Sequence, residues 1–377
     1  SPVIITSRVN LFSGTVINSD RIQIGGSSTT ALRLIQRGNA TSQIDPPGEF
    51  DTAPLFNLGT AGLQLLYANA GTNIPTGFEV PTSRIVRRIF FSCPNGLLLT
   101  GGDLTVQNAS PVGSLEISNG IFSTGPNKLI IGATTTVTRT NGHINGDIEM
   151  LYTATGTKTF HVGTANGYSP VTVNVTALGV APSSLTVRAN EVTHPNAPNA
   201  ASALRRFWSL TETGDLAATL SFVYQQADVP SGIPETSLDL KRYTGAGSVF
   251  DTIPATLNSD TNTVTTNSPI SDFSDWTLFS SLSPTSAGVS ISGRVSTGAE
   301  AASGIALARV VVTDANGVAV SALSNPFGVF SIEGLRAGET YFISVQAKGF
   351  QFEPFTLQVN EDISGLEITP EGAFLRK

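Results

Sequence analysis

Between Gly96 and Glu149 the chain never runs apolar for more than a few residues. Leu97–Thr100, Leu104–Val106, Leu115–Ile117, Lys128–Ile131 and Thr135–Thr138 alternate with clusters of Gly, Asn, Ser and Pro. Short Val-, Ile-, Leu- and Thr-rich runs bounded by such residues are strands joined by turns. Strands this short are unstable unless neighbours bury their side chains. Two arrangements meet that need. Rungs stacked in a β-solenoid bury one another, and consecutive antiparallel hairpins fit the same spacing. We take the stack as the expectation for 13–146.

Part of this region occurs twice. Gly14–Gly25 (GTVINSDRIQIG) aligns with Gly120–Gly132 (GIFSTGPNKLIIG) with one residue inserted, and a Ser/Thr-rich strand follows each, Ser27–Leu34 and Thr134–Arg139. An offset of 106 residues suggests a duplicated unit.

Composition narrows the functional classes. Only 13% of the 377 residues are charged, against roughly a quarter in ordinary globular proteins. A surface of hydroxyls and amides repels copies of itself weakly. A net charge of −7 provides no basic footprint for nucleic acid. No apolar run approaches the ~18 residues of a membrane helix. Ser1 stands where Met is expected, so we expect a secreted, mature chain whose signal peptide has been removed. The single Cys93 excludes an intrachain disulfide framework. Its setting, IFFSCPNG, suits a buried thiol, the alternative being an intermolecular disulfide.

Along the chain, SPVIITSRVNLF (1–12) opens on a β-branched run, Pro2, Val3, Ile4, Ile5 and Thr6, with no turn before it. It reads either as the first strand of the stack or as an arm donated to a neighbouring molecule. Residues 36–60 read as a long excursion between rungs, and Gly62–Ala68 and Arg84–Phe91 as strands. From 147 to 280 the strands lengthen (SPVTVNVTAL, SSLTVRANEV, RRFWSLTE, ATLSFVYQ, SLDLKRYTG, SDWTLFSS), which predicts an antiparallel β-sandwich. Trp208 and Trp276 lie mid-strand, as core residues do, although a Trp also serves as a sugar-stacking platform. Residues 281–288 (SLSPTSAG) read as a linker.

Two resemblances follow from particular motifs. Tyr67–Thr72, Thr76–Pro81, Asn95–Val106, Thr124–Gly132, Thr138–Gly146 and Phe160–Val173, closed by Arg205–Leu210 and Ser271–Leu278, resemble in order a module of large repetitive bacterial surface proteins. Val289–Thr369, with SGRV, VVVTDANG, GVFSIEGLRAGETY and KGF, resembles the carboxypeptidase regulatory-like (Cna-B-like) domain. That resemblance implies a small Ig-like β-sandwich over 289–377, with a hairpin turn at Asn316-Gly317 and a core of Phe327, Phe330, Leu335, Tyr341 and Phe350. Some relatives of that domain carry a Lys–Asn isopeptide bond. Within 289–377 Lys348 is the only lysine before Lys377, so no such crosslink is expected.

Chemistry-bearing motifs are sparse. His143, His161 and His194 have no metal-ligand spacing and read as surface or turn histidines. Asp260 with Asn262 and Asp314 with Asn316 offer hard oxygen ligands for calcium, but such residues favour tight turns for their own sake. Asn39, Asn108 and Asn174 begin glycosylation sequons. We therefore expect an all-β, non-enzymatic chain with no catalytic residue, metal or cofactor. The expected function is a structural subunit assembling head to tail with copies of itself into an extracellular filament or surface layer, by donation of Pro2–Thr6. The alternative is an adhesin or carbohydrate-binding accessory region recognising cell-surface glycans.

Overall fold

The computed structural model describes residues 1–26, 33–39, 47–68, 71–110, 112–247, 249–280, 289–298, 303–315, 317–337, 339–370 and 372–375. The expected linker 281–288, Asn316 of the expected turn, and residues 27–32 of the first Ser/Thr-rich strand lie outside these residues. The chain is all-β and divides into two compact units, Ser1–Ser283 and Pro284–Lys377.

In the first unit the short strands pair in parallel, which selects the rung stack over the hairpins. On one face Val9, Ile35, Leu65, Ile89, Leu115 and Val137 are successive register partners. Strand neighbours lie ~4.8 Å apart, so each inward side chain covers the one beneath it. Ile35, Leu65, Ile89 and Leu115 are buried, whereas the end members Val9 and Val137 are only partly so. Leu115 stands four rungs from Val9 and 106 residues beyond it. The 106-residue offset in the sequence therefore equals four rungs of the stack.

Two further faces complete each turn. Ile74, Leu97, Phe122 and Ile144 form a buried column on one. Val86, Val106, Ile131 and Met150 form another. A single strand, Ser114–Ile131, contributes to all three faces and turns its first corner at Gly120. There φ is +89°, and a Cβ would lie 1.7 Å from the Cys93 carbonyl oxygen. Gly120→Ala is expected to lower the stability of the first unit by at least about 2 kcal/mol. The urea midpoint measures it, and an unchanged midpoint would contradict this packing.

The stack ends by changing pairing type. His143–Tyr152 is parallel to the preceding rung through Ile121–Ile131 and antiparallel to Val171–Asn190. The boundary read at 146/147 thus falls inside one strand, and one buried core extends from Leu11 to Leu278. Val171–Asn190 and Phe207–Val223 pair along their lengths. Opposite halves of Phe207–Val223 then join different strands: Trp208 pairs with Trp276, and Ser221–Val223 with Thr263–Thr265. Phe222 packs on both indoles at 5.1 and 5.6 Å, so the two halves face each other as the layers of the expected sandwich. Both Trp side chains are buried.

The second unit consists of two four-stranded sheets around its own core. One contains Val289–Val295, Val329–Leu335, Ile363–Thr369 and Gly372–Leu375; the other contains Arg309–Thr313, Ala319–Leu323, Glu339–Gln346 and Phe355–Val359. Phe330, Leu335 and Tyr341 are buried as expected. Phe327 and Phe350 correct the expectation, for both are exposed. Asn325 Oδ1 accepts the N–H groups of Phe327 and Val329, each at 2.9 Å, and the turn so formed directs Phe327 outward. Phe350 follows the Lys348-Gly349 turn, and its ring lies 6.4 Å from that of Phe352.

Candidate assembly surface

The first rung comprises Val3–Ile5, Arg8–Leu11 and Thr15–Val16. Each strand pairs in parallel with one neighbour, respectively Ile22–Gly25, Arg33–Arg37 and Glu49–Phe50. Among the described residues none has a strand on its other side. A strand paired on one side only leaves alternate backbone N–H and C=O groups facing outward. At the opposite end of the stack Ile148–Tyr152 continues into the antiparallel half, Ile144 of the same strand forms an isolated bridge to Val162, and Thr136–Arg139 lacks a second strand among the described residues. The two ends are therefore unlike, and the first is open across all three faces.

Pro2–Thr6, read from sequence as donor residues, lie on this edge. Val3, Ile4 and Ile5 are in register with Ile22, Gln23 and Ile24 of their own chain. Ile5 packs against the core, whereas Val3 and Ile4 are 65% and 56% exposed. Within the single chain the segment thus occupies the position of a first strand of the stack.

The corners of the rung are held by side chains. Asp51 accepts bonds from Ser19 Oγ (2.5 Å), Ser19 N (3.0 Å) and Asn18 N (2.8 Å). The Ser19 bonds, hydroxyl foremost, hold its carboxyl well below the usual range. Arg8 bonds the neutral side chains of Asn10 and Gln36.

A buried charge lies one rung further in. Arg37 succeeds Leu11 in an otherwise apolar inward column that continues through Tyr67, Phe91 and Ile117. Its Nη1 approaches both Glu79 oxygens at 3.3 Å and donates to the Pro75 carbonyl at 2.5 Å; its Nε donates to the Gly48 carbonyl at 2.9 Å. Glu79 also accepts from Tyr67 Oη and Gly77 N, each at 2.8 Å. The side chains of Arg37, Tyr67 and Glu79 are all buried. Burial, with the adjacent Glu79 carboxylate, pushes the Tyr67 hydroxyl well above its ordinary pKa. Tyr67 and Glu79 belong to the sequence motif, whose polar residues thus pin the loop bearing Phe78. That loop borders a groove of about 510 Å³ lined by Ala53, Phe78, Val80, Pro81 and Arg84. Arg37 escaped the sequence reading; an Arg at an inward position of a strand was the available signal.

A second cluster joins the stack to the antiparallel half. The hairpin Gly163–Thr164/Gly167–Tyr168 places the Thr164 carbonyl 2.8 Å from His143 Nε2, and the Ser169 carbonyl accepts from Trp208 Nε1 at 3.0 Å. Buried Arg206 bonds Asp228 at 2.5 Å. His161 Nδ1 lies 2.6 Å from Tyr168 Oη, and the Arg139 guanidinium covers the Tyr168 ring at 3.5 Å. His143 and His194 are buried, contrary to the surface or turn reading. His143 meets a carbonyl, and His194 meets Asp275 at 3.1 Å within a cage of Phe207, Tyr243 and Phe250. Among the described residues no group of three or more His, Cys, Asp or Glu could hold a metal. Cys93 is buried in the stack.

Burial, reinforced by the Arg139 charge, lowers the His161 pKa to about 4 from 6.5. At pH below 6.5 the unfolded chain binds this proton more readily, so stability falls as pH drops from about 6.5 to about 4. The urea midpoint of the first unit is expected to fall across that window, and His161→Phe should flatten the fall. An equally steep profile in the variant would assign it to other groups.

No protein-family model matches the chain, and no curated protein matches it. Among solved structures it is similar to the group B streptococcus pilus 2b backbone protein. There the TM-score is 0.23 and the identity 11%, covering 53% of this chain and 96% of that one. It is also similar to a Mobiluncus mulieris adhesin containing intramolecular disulfide, isopeptide and ester bond cross-links. There the TM-score is 0.18 and the identity 9%, covering 57% and 96%. At these scores the likeness decides neither fold nor function.

Proposed function

We propose that the chain is a structural subunit that joins copies of itself head to tail into an extracellular filament or layer. The observation that carries this reading is the asymmetry of the stack, open across the Val3–Ile5 rung and continued into the antiparallel half at the other end. An open strand edge is satisfied by another strand. A contact between unlike surfaces that does not close produces a fibre. Pro2–Thr6 take part through the edge they leave open while remaining paired to their own chain. The extracellular setting rests on the resemblance of the Tyr67–Val173 motifs to bacterial surface proteins. The glycan-binding alternative needs exposed aromatic platforms; both Trp side chains are in the core, and the exposed aromatics among the described residues are Phe78, Phe327, Phe342 and Phe350.

Negative-stain electron microscopy of the purified protein is expected to show regular fibres at low micromolar concentration. Ile4→Lys alters an exposed side chain and should leave folded monomers, because a charge on an edge strand opposes pairing. Wild-type protein that remains monomeric throughout, or fibres undiminished in Ile4→Lys, would overturn the reading.

A further inference from the structure

The first rung needs a counterpart elsewhere on the chain, and the second unit carries one. Ala319–Leu323 is the outermost strand of its sheet, antiparallel to Arg309–Thr313 on one side and, among the described residues, unpaired on the other. Its sequence, AVSAL, contains neither charge nor proline, the usual devices that keep an edge from pairing. Two other edges of this unit are protected: Val329–Leu335 carries Glu333, and Phe355–Val359 is entered through Glu353-Pro354.

Val320 faces Val312, on the core side of the sheet, yet is 41% exposed; Leu323, opposite Arg309, is 60% exposed. Leu307, Phe327 and Val329, near the end of this strand, are exposed as well. They are held beside it by the bonds Leu307 N to Ser324 O (3.0 Å) and Asn325 N to Val329 O (2.9 Å).

We propose that Ala319–Leu323 of one copy adds antiparallel to the outer edge of Val3–Ile5 of the next; this deepens the head-to-tail reading and rests on it. Both edges are uncharged and largely apolar, so each supplies the backbone and side-chain groups the other lacks. Antiparallel addition brings the end of Val3–Ile5 to the start of Ala319–Leu323. Arg8, bonded within its own unit to neutral side chains, then approaches Asp314, which starts the turn before Ala319. Charge as well as strand polarity favours that orientation. The contact joins unlike surfaces, so it propagates.

The test uses the full chain. Ile4→Cys protein and Val320→Cys or Ser321→Cys protein are mixed and oxidised, since directly paired strand residues lie within disulfide reach. The native Cys93 is buried and adds no background. A crosslinked dimer that forms in a mixture and in neither variant alone is the expected result. Val320→Lys, whose fold is checked by its unchanged melting profile, should raise the critical concentration for fibres at least about tenfold.

Fibres that persist in Val320→Lys, or crosslinking of Val320→Cys protein to itself alone, would overturn this pairing while leaving the open rung as an assembly edge. Wild-type protein without fibres would overturn both.

Discussion

Glu79→Ala is expected to destabilise the first unit by about 3–5 kcal/mol, the cost of leaving a buried charge without its partner. Removing the carboxylate leaves the Arg37 guanidinium inside the stack with, among the described residues, the Gly48 and Pro75 carbonyls. It also unpairs Tyr67 Oη and Gly77 N. The desolvation of each lost partner adds to the deficit. Replacing both charges, Arg37→Met with Glu79→Gln, should recover most of the loss, because an uncharged core avoids the desolvation of two ions. Denaturant midpoints followed by far-ultraviolet circular dichroism measure all three. If Glu79→Ala stays within about 1 kcal/mol of wild type, the network is not the clamp described here. The same variant should release the loop bearing Phe78, which limited proteolysis reads independently.

Phe222→Ala is expected to cost about 3–5 kcal/mol, and its reach matters as much as its size. Phe222 touches both Trp208 and Trp276 in the antiparallel half, whereas the stack is built around Leu65, Ile89 and Leu115. These residues share one core. Amide protection in the stack and in the antiparallel half should therefore fall together, while protection in the second unit, with its separate core, stays unchanged. A stack that kept its protection as the antiparallel half opened would divide the first unit in two.

Much of this architecture could be read without coordinates. Runs such as Leu104–Val106 were recognisable as strands because turn residues bracket them. The burial of Trp208 and Trp276 followed from their mid-strand positions. Phe327 shows where the resemblance fails: it implies a core residue, but the turn formed by the Phe327 and Val329 N–H bonds to Asn325 sends the ring to the surface. The histidines fail in the other direction. Their spacing offers no metal-ligand pattern, and burial depends on what packs over them, as the aromatic cage does over His194.

The strands and their turns are properties of the chain's local pattern, because they arise from alternation and backbone preference among near neighbours. Parallel pairing, the partner of Val3–Ile5, the burial of Arg37 against Glu79 and the position of the open edge are not. Each depends on which of many equally apolar strands lie side by side. Val9 and Leu115 have similar side chains, and a local pattern treats them alike. Their places in the register make one the end of the stack, with a strand on one side, and the other its interior, with a strand on each side.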